Sequence, residues 1–445
     1  RQMCIRDRYN TANYLLADFA IGKAKEVDAK LKAGEEIGLL EGIPFGVKDV
    51  YLLQGSKASG SSDFLKNYTA PYTATALKRL MEAGAIPLVK ENCDSFGHGS
   101  SNENSAFGPA RNALDKSLVP GGSSGGSAVN VAKGHTIFSI GGDTGGSIRQ
   151  PAGYNGVYGL KPTYGRISRY GLMAYSSSTD CVGPIARTLE DIRLLLNTMS
   201  GKDPRDQSSI ESTPVAKEIF DSKTPGIGFK VGYYKSFLEN KDLDAKIKAD
   251  FLALTGNLKQ HHIRVVPLDF YDIEVLVSTY YILAMAETAS NLARLDGISY
   301  GKRHTADSLK QGYALSRSKN FTEETKRRII GGNQILSQGH SEEIYQKARV
   351  IRDQILAKFR QDFQEVDAII SPVSPGTPPK LGSSLDHPLE MYMSDAYTVG
   401  FSLGGLPTLT APIGTATGIQ ITAAKNQEET ILKFAKQLIE AATWN

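Results

Sequence analysis

Gly121-Gly122-Ser123-Ser124-Gly125-Gly126-Ser127 and Gly141-Gly142-Asp143-Thr144-Gly145-Gly146-Ser147-Ile148-Arg149-Gln150-Pro151 are two glycine and serine blocks on either side of a short apolar piece, residues 136–140. A flexible linker would continue in low complexity, but each block borders an apolar segment and the second ends in a charged Arg and a Pro. Glycines in this setting let a backbone turn tightly or approach a ligand closely. Successive N–H groups of such a loop form a concavity that stabilises an oxyanion. The blocks therefore read as the frame of an active site, occupying a glycine- and serine-rich region from 99 to 171.

Outward from this region the chain alternates helix and strand. Residues 13–32 carry Leu16, Phe19, Ala20, Ala24, Val27 and Leu31 at helical spacing, ending before Gly34. A buried strand is expected at 43–48, an amphipathic helix at 73–83 stopped by Gly84, and a strand at 86–90. Further strands are predicted at 226–234, 262–268, 367–371, 408–412 and 418–422. Helices are predicted at 242–258, 273–295, 323–337, 342–359 and 428–442. The pattern is that of an α/β protein, with no internal repeat and no clear linker.

A nucleophilic serine needs a base, usually histidine. Here the histidines are poor candidates. His98 and His135 flank the blocks, His261 and His262 adjoin a strand, and His304, His340 and His387 sit in polar surroundings. All read better as structural or surface residues. Lys48, at the end of the apolar strand Ile43-Pro44-Phe45-Gly46-Val47, is the better base, because a lysine drawn into a dry site loses its preference for charge. Taken alone it is an ordinary strand-terminal lysine.

In combination, Gly42-Ile43-Pro44-Phe45-Gly46-Val47-Lys48-Asp49 followed by the two blocks resembles the amidase signature family. The resemblance covers nearly all of the chain after residue 9 and is most specific over 119–163. Lys48 and Ser123 are 75 residues apart, and Ser123 and Ser147 are 24 apart, a spacing that agrees with the family. The resemblance implies one amidase signature domain over 9–445, with its signature core at about 42–190 and a large mixed β-sheet covered by helices on both faces (α/β/α). It also implies the roles: Ser147 as nucleophile, Ser123, on a cis peptide after Gly122, as proton relay, and Lys48 as base. The N–H groups of Thr144, Gly145, Gly146 and Ser147 would form the oxyanion hole. Residues 1–8 are unassigned and read as a truncated or foreign start.

Two rival motifs compete with this reading. Gly121-Gly122-Ser123-Ser124-Gly125 also fits the G-x-S-x-G nucleophile elbow, in which Ser123 would attack. An elbow should follow a strong strand, whereas 115–120 is short and contains Lys116, and no downstream Asp and His pair stands out. A phosphate loop is excluded because Gly126 is followed by Ser127 and not by Lys-Ser/Thr.

Within the family the chain most resembles the A subunits of glutamyl- or aspartyl-tRNA amidotransferases, through 99–105, 161–166, 290–294 and 391–412. That implies a glutaminase: an amidohydrolase within a glutamine-hydrolysing carbon–nitrogen ligase that supplies ammonia for converting Glu-tRNA(Gln) or Asp-tRNA(Asn). Glutamine presents a carboxylate and an ammonium, which an Arg and an acid at opposite ends of a pocket would match. Arg328 and Asp395 stand at the matching positions, with Tyr280 or Tyr281 as a further pocket residue. The implied partners are the B and C subunits of a heterotrimer, and misacylated tRNA through the complex. ATP and Mg would be used by the B subunit, with no metal or organic cofactor in this chain. Two stretches depart from the family pattern: Cys93-Asp94-Ser95-Phe96-Gly97-His98, at the expected pocket rim or ammonia route, and Gln420-Ile421-Thr422-Ala423-Ala424, which shortens an expected turn.

Composition sets the outer limits. The chain has 445 residues, 40% of them hydrophobic, enough for a substantial core. A formal charge of +4 is too small an excess for gripping nucleic acid unaided. Cys4, Cys93 and Cys181 fit neither a disulfide framework nor a Cys-rich zinc site. No apolar run approaches the ~20 residues of a membrane span, so the expected location is the cytoplasm or an organelle matrix. The alternative functions are a free-standing amidase acting on another small amide, which would not need Arg328 and Asp395, and a catalytically silent scaffold.

Overall fold

The computed structural model describes residues 8–220, 228–260, 263–383, 385, 388–413 and 417–442. The strands are β1 (Ala12–Leu15), β2 (Pro44–Lys48), β3 (Ile86–Glu91), β4 (Phe138–Asp143), β5 (Tyr158–Lys161), β6 (Cys181–Ala186), β7 (Lys230–Tyr234), β8 (Arg264–Leu268), β9 (Ala368–Pro372), β10 (Thr408–Ala411) and β11 (Ile419–Thr422). They form one sheet in the order β1-β3-β2-β4-β6-β5-β10-β11-β9-β7-β8. The pairs β2/β3, β2/β4, β7/β8 and β7/β9 are parallel and the other pairs antiparallel. The large mixed sheet expected from the resemblance is thus present.

Among the described residues the helices are α1 (Ala17–Lys32), α2 (Thr75–Glu82), α3 (Gly125–Ala132), α4 (Arg149–Tyr154), α5 (Leu189–Met199), α6 (Lys235–Leu238) and α7 (Ala245–Gln260). They continue with α8 (Ile273–Asn291), α9 (Leu309–Asn320), α10 (Glu323–Ile335), α11 (Gln346–Glu365), α12 (Pro388–Met393), α13 (Val399–Leu403) and α14 (Glu428–Ala442). The period-two alternation of side chains along a strand shows how they cover the sheet. In β9, Ala368 and Ile370 join a core containing Phe251 and Leu254 of α7 and Ile431 of α14. Ile369 between them faces Leu276 of α8, Phe359 of α11 and Phe401 of α13. In β6, Val182 and Ala186 pack with Ile192 of α5, whereas Ile185 packs with Ala128 of α3 and Ala152 of α4. Helices therefore cover both faces.

The structure corrects the sequence reading in places. The helix expected over 13–32 begins only at Ala17; Ala12–Leu15 instead pairs antiparallel with β3, Tyr14 opposite Lys90. Helical periodicity cannot see an open sheet edge that recruits a passing segment, here pinned by the Asn13 amide donating to Asp49 Oδ2 and Ser61 Oγ, both at 2.9 Å. The helix expected to run to 295 ends at Asn291 and tightens into a 3₁₀ turn, and the one expected from 342 starts with a π-turn, Ser341–Tyr345, before α11. The strand expected at 418–422 is present as β11, Ile419–Thr422, and overlaps the stretch that departs from the family pattern. Helix α5 has no counterpart among the expected elements, although Thr188 caps it by accepting from Asp191 N at 3.1 Å. Residues 1–7, the start of the strand expected at 226–234, and His261, His262 and His387 lie outside the described residues.

Candidate active site

The two blocks meet at the C-terminal ends of β2 and β4, which lie side by side and parallel with Val47 opposite Ile140. Lys48, the last residue of β2, sends its Nζ to within 2.7 Å of Ser123 Oγ and donates to Gly142 O at 3.1 Å. Ser123 precedes α3 and follows a cis peptide bond from Gly122. Ser147 follows β4 in the turn before α4, and its carbonyl accepts from Ser124 N at 3.0 Å, joining the blocks. All three side chains are buried, Ser147 being the most accessible at 8%. The strand that an elbow would place before Ser123 is absent among the described residues, since 115–120 holds no named strand.

Burial pushes the Lys48 amine below the ordinary lysine range; nearby Cys93, Asp94, Asp143 and Asp180 only partly oppose it. Its protonated form is disfavoured, so it can receive a proton from Ser123. Among the described residues the N–H groups of Thr144, Gly145, Gly146 and Ser147 donate to no group of the chain, and the Ser147 hydroxyl makes no hydrogen bond. Buried backbone donors are almost always paired, and four in succession beside a serine offer their bonds to a bound group. A cavity of about 20 Å³ touches Lys48, Ser123, Thr144, Tyr175 and Asp180. Next to it lies a 380 Å³ hollow lined by Leu52, Tyr68, Met173, Leu292 and Tyr300; Phe96, Leu172 and Met173 border both.

Charge partners hold the second block in shape. Asp143 accepts from Arg149 Nη2 at 2.9 Å and Nε at 3.0 Å and from Ile148 N at 3.0 Å, closing the turn. Arg149 also reaches Thr398 O at 2.9 Å, Ser402 Oγ at 2.7 Å and Gln420 Oε1 at 3.3 Å, tying the loop to α13 and β11. Both ions are fully buried. Removing one partner of such a pair leaves a buried charge uncompensated. Arg149→Met is therefore expected to lower stability by about 3–5 kcal/mol in urea unfolding; a loss below about 1 kcal/mol would remove the ion pair from the account.

Arg328 and Asp395 lie in the adjoining wall, both buried. Read from sequence without the resemblance, Arg328 is an exposed helix charge; instead α10 turns it inward. Its Nε donates to Glu324 Oε1 at 2.7 Å, Nη1 donates to the Tyr175 hydroxyl, and the rings of Tyr281, Tyr175 and Tyr392 surround the guanidinium at 5.2–5.5 Å. Burial raises the Asp395 carboxyl to about 6, against hydrogen bonds from Ser100 Oγ and Tyr281 OH, each at 2.8 Å. Tyr281 thus spans the two charged groups. Tyr280 packs on the second block instead: a Cβ on Gly145 would stand 2.5 Å from its ring and hydroxyl. Both tyrosines touch candidate site residues, Tyr281 the Asp395 carboxyl and Tyr280 the second block.

Sequence reading assigned no site role to Glu324, Tyr175, Tyr392 or Ser100, which come from separate segments and form no local motif, and it weighed His98 only as a poor base in a stretch at the expected pocket rim. His98 is fully buried, 3.1 Å from Thr325 Oγ1, while His135, His304 and His340 contact Asn130, Asn320 and Ser337. Cys93 is buried against Ser61 Oγ at 3.2 Å, its thiol pushed up to about 12 by burial. Among the described residues no group of three or more His, Cys, Asp or Glu could hold a metal ion, and no helix is long and apolar enough to cross a membrane.

A lysine, two serines and a run of unpaired N–H groups at the ends of neighbouring strands define an amidohydrolase site, and a model of the Amidase family matches residues 2–432; the chain belongs to that family. It is 42% identical over 427 residues to the A subunit of glutamyl-tRNA(Gln) amidotransferase from Koribacter versatilis, covering 95% of this chain and 88% of the relative. It is 41% identical over 438 residues to the protein of the same name from Gloeothece citriformis, covering 97% and 90%. The crystal structure of the glutamyl-tRNA(Gln) amidotransferase A subunit from Thermotoga maritima superposes with a TM-score of 0.79 at 33% identity, covering 92% of this chain and 86% of that one. A 6-aminohexanoate cyclic dimer hydrolase superposes with a TM-score of 0.82 at 25% identity, covering 99% and 92%.

Proposed function

We propose that this chain is the glutaminase subunit of a tRNA-dependent amidotransferase. The observation that carries the reading is the pairing of Arg328 and Asp395, two buried opposite charges about one tyrosine, beside the Lys48–Ser123 pair and the block that carries Ser147. A small amide without ionic groups needs neither charge, whereas glutamine offers a carboxylate to Arg328 and an ammonium to Asp395. The relatives' names support the same reading.

In this reading Ser147 Oγ attacks the side-chain carbonyl of glutamine. Its proton passes to Ser123 Oγ, which passes its own to Lys48 Nζ. The N–H groups of Thr144 to Ser147 hold the oxyanion. Collapse of the tetrahedral adduct breaks the C–N bond, the leaving nitrogen takes the proton back through Ser123, and ammonia departs. Water then hydrolyses the Ser147 ester to glutamate by the same relay in reverse. Ammonia goes to the B subunit, which uses ATP and Mg to activate the acyl group of Glu-tRNA(Gln) or Asp-tRNA(Asn). The C subunit makes the assembly a heterotrimer, located in the cytoplasm or an organelle matrix. This chain itself supplies no cofactor. Residues 9–445 act as one amidase domain, a view supported by the single sheet running from β1 to β11.

The test is glutamate release from glutamine by the purified chain, with and without the B and C subunits, ATP and Glu-tRNA. Release raised by the partners supports the reading. Glutamine left untouched in the full complex while simple amides are cleaved would replace it with a free-standing amidase.

A further inference from the structure

The guanidinium of Arg328 is held on one side by Glu324 of its own helix and on the other by a group from outside it. Its Nη1 donates to the hydroxyl of Tyr175, in the segment between β5 and β6, and that ring packs edge-on against the His98 imidazole, centroids 4.6 Å apart at 89°. His98 has no exposed surface. Its Nδ1 lies 3.1 Å from Thr325 Oγ1, three residues before Arg328 on α10, and its Nε2 lies 3.5 Å from Thr288 Oγ1 on α8, the helix of Tyr280 and Tyr281. One ring therefore touches α8, α10 and the Tyr175 segment.

A side chain that merely filled this space could be apolar. His98 instead has a hydroxyl at each ring nitrogen, and a neutral imidazole supplies one donor and one acceptor to match them. Burial and the nearby Arg328 charge keep it neutral, well below the usual histidine range. The two contacts orient the imidazole, which packs on the Tyr175 ring whose hydroxyl receives Arg328 Nη1 and, at 3.4 Å, Tyr280 OH.

We propose that His98 is a positioning residue for substrate recognition: through Tyr175 and Thr325 it aims the Arg328 guanidinium at the substrate carboxylate. The proposal rests on the reading that Arg328 binds that carboxylate, and it adds a residue to the specificity apparatus that makes no contact with substrate.

The experiment compares glutamine with glutamine methyl ester, whose carboxylate is capped, using the full-length chain in its reconstituted complex. If the ester is not turned over, its inhibition constant is read instead. His98→Met is expected to raise the KM for glutamine about tenfold, with kcat near the parent value and the ester constant unchanged, and His98→Gln to restore most of the loss. Thr325→Val, nearly isosteric, is expected to give a smaller rise of about threefold and serves if His98→Met does not fold. Glutamine and ester constants rising together, or neither moving, would overturn the proposal. Arg328→Lys separates it from the reading beneath: a rise confined to glutamine upholds Arg328 as the carboxylate site whatever His98 does. No such rise removes both.

Discussion

Replacing Ser147 with alanine is expected to reduce glutamine hydrolysis on the order of 10³-fold or more, and Lys48→Met by a similar factor. In the proposed relay the two side chains act on one proton-transfer path, and the structure puts Lys48 Nζ 2.7 Å from Ser123 Oγ and joins the two blocks at Ser124 and Ser147. Their losses should not multiply: the double variant is expected to retain about the activity of the weaker single, because members of one catalytic unit are non-additive. The pH profile gives a second handle. A base must be unprotonated, so kcat/KM should rise with pH as Lys48 loses its proton, and burial places that rise below the ordinary lysine range. Steady-state kinetics across pH check both points. A Lys48→Met enzyme with near-parent activity, or single losses that multiply, would remove lysine from the mechanism.

Gly145→Ala is expected to cost about 10²–10³-fold in kcat, the usual loss when an oxyanion donor is misplaced. The reason is space: an added Cβ would lie 2.5 Å from both the Cζ and hydroxyl of Tyr280, well inside contact distance. The ring is buried on α8 and cannot easily yield, so the backbone must. Just beyond, Gly146 has φ +148°, outside the range that other residues readily adopt, and its neighbour's carbonyl accepts from Thr398 Oγ1. The loop is thus clamped from α8 and from the start of α13, which argues that the N–H groups are held before substrate arrives. Tyr280→Ala should open the space and recover at least tenfold of the Gly145→Ala loss. Kinetics on the two single variants and the double variant, with thermal melts to check folding, test this. Harmless Gly145→Ala would mean that the ring is no clamp.

Much of this architecture is legible in the chain. The glycine and serine blocks announce themselves because their chemistry is local: a turn, a nucleophile and a row of N–H groups fit within a few consecutive residues. The strands 44–48 and 86–91 are equally readable, since a buried parallel strand is a short apolar run between turn signals. Less readable is whatever depends on tertiary partners. Residues 12–15 join a sheet edge that no local pattern reveals. The wall around Arg328 and Asp395 gathers Ser100, Tyr175, Tyr281, Glu324 and Tyr392 from distant segments, and a charged residue on a polar helix such as α10 looks solvated until the fold buries it. Resemblance to the family, not periodicity, pointed to Arg328 and Asp395. Neither signal pointed to Glu324 or to the role here given to His98.

Ser123 contacts Lys48 and Ser147 is joined to the same block through its backbone, and the proposed mechanism turns on which serine becomes acylated. Rapid acid quench of the complex turning over glutamine, followed by mass spectrometry of its peptides, asks this directly. The account predicts one glutamyl group esterified to Ser147, absent from Ser147→Ala and accumulating where hydrolysis of the ester is slow. A glutamyl ester on Ser123 would contradict it and restore the elbow-like reading of the first block. The same would follow for turnover that persists in Ser147→Ala.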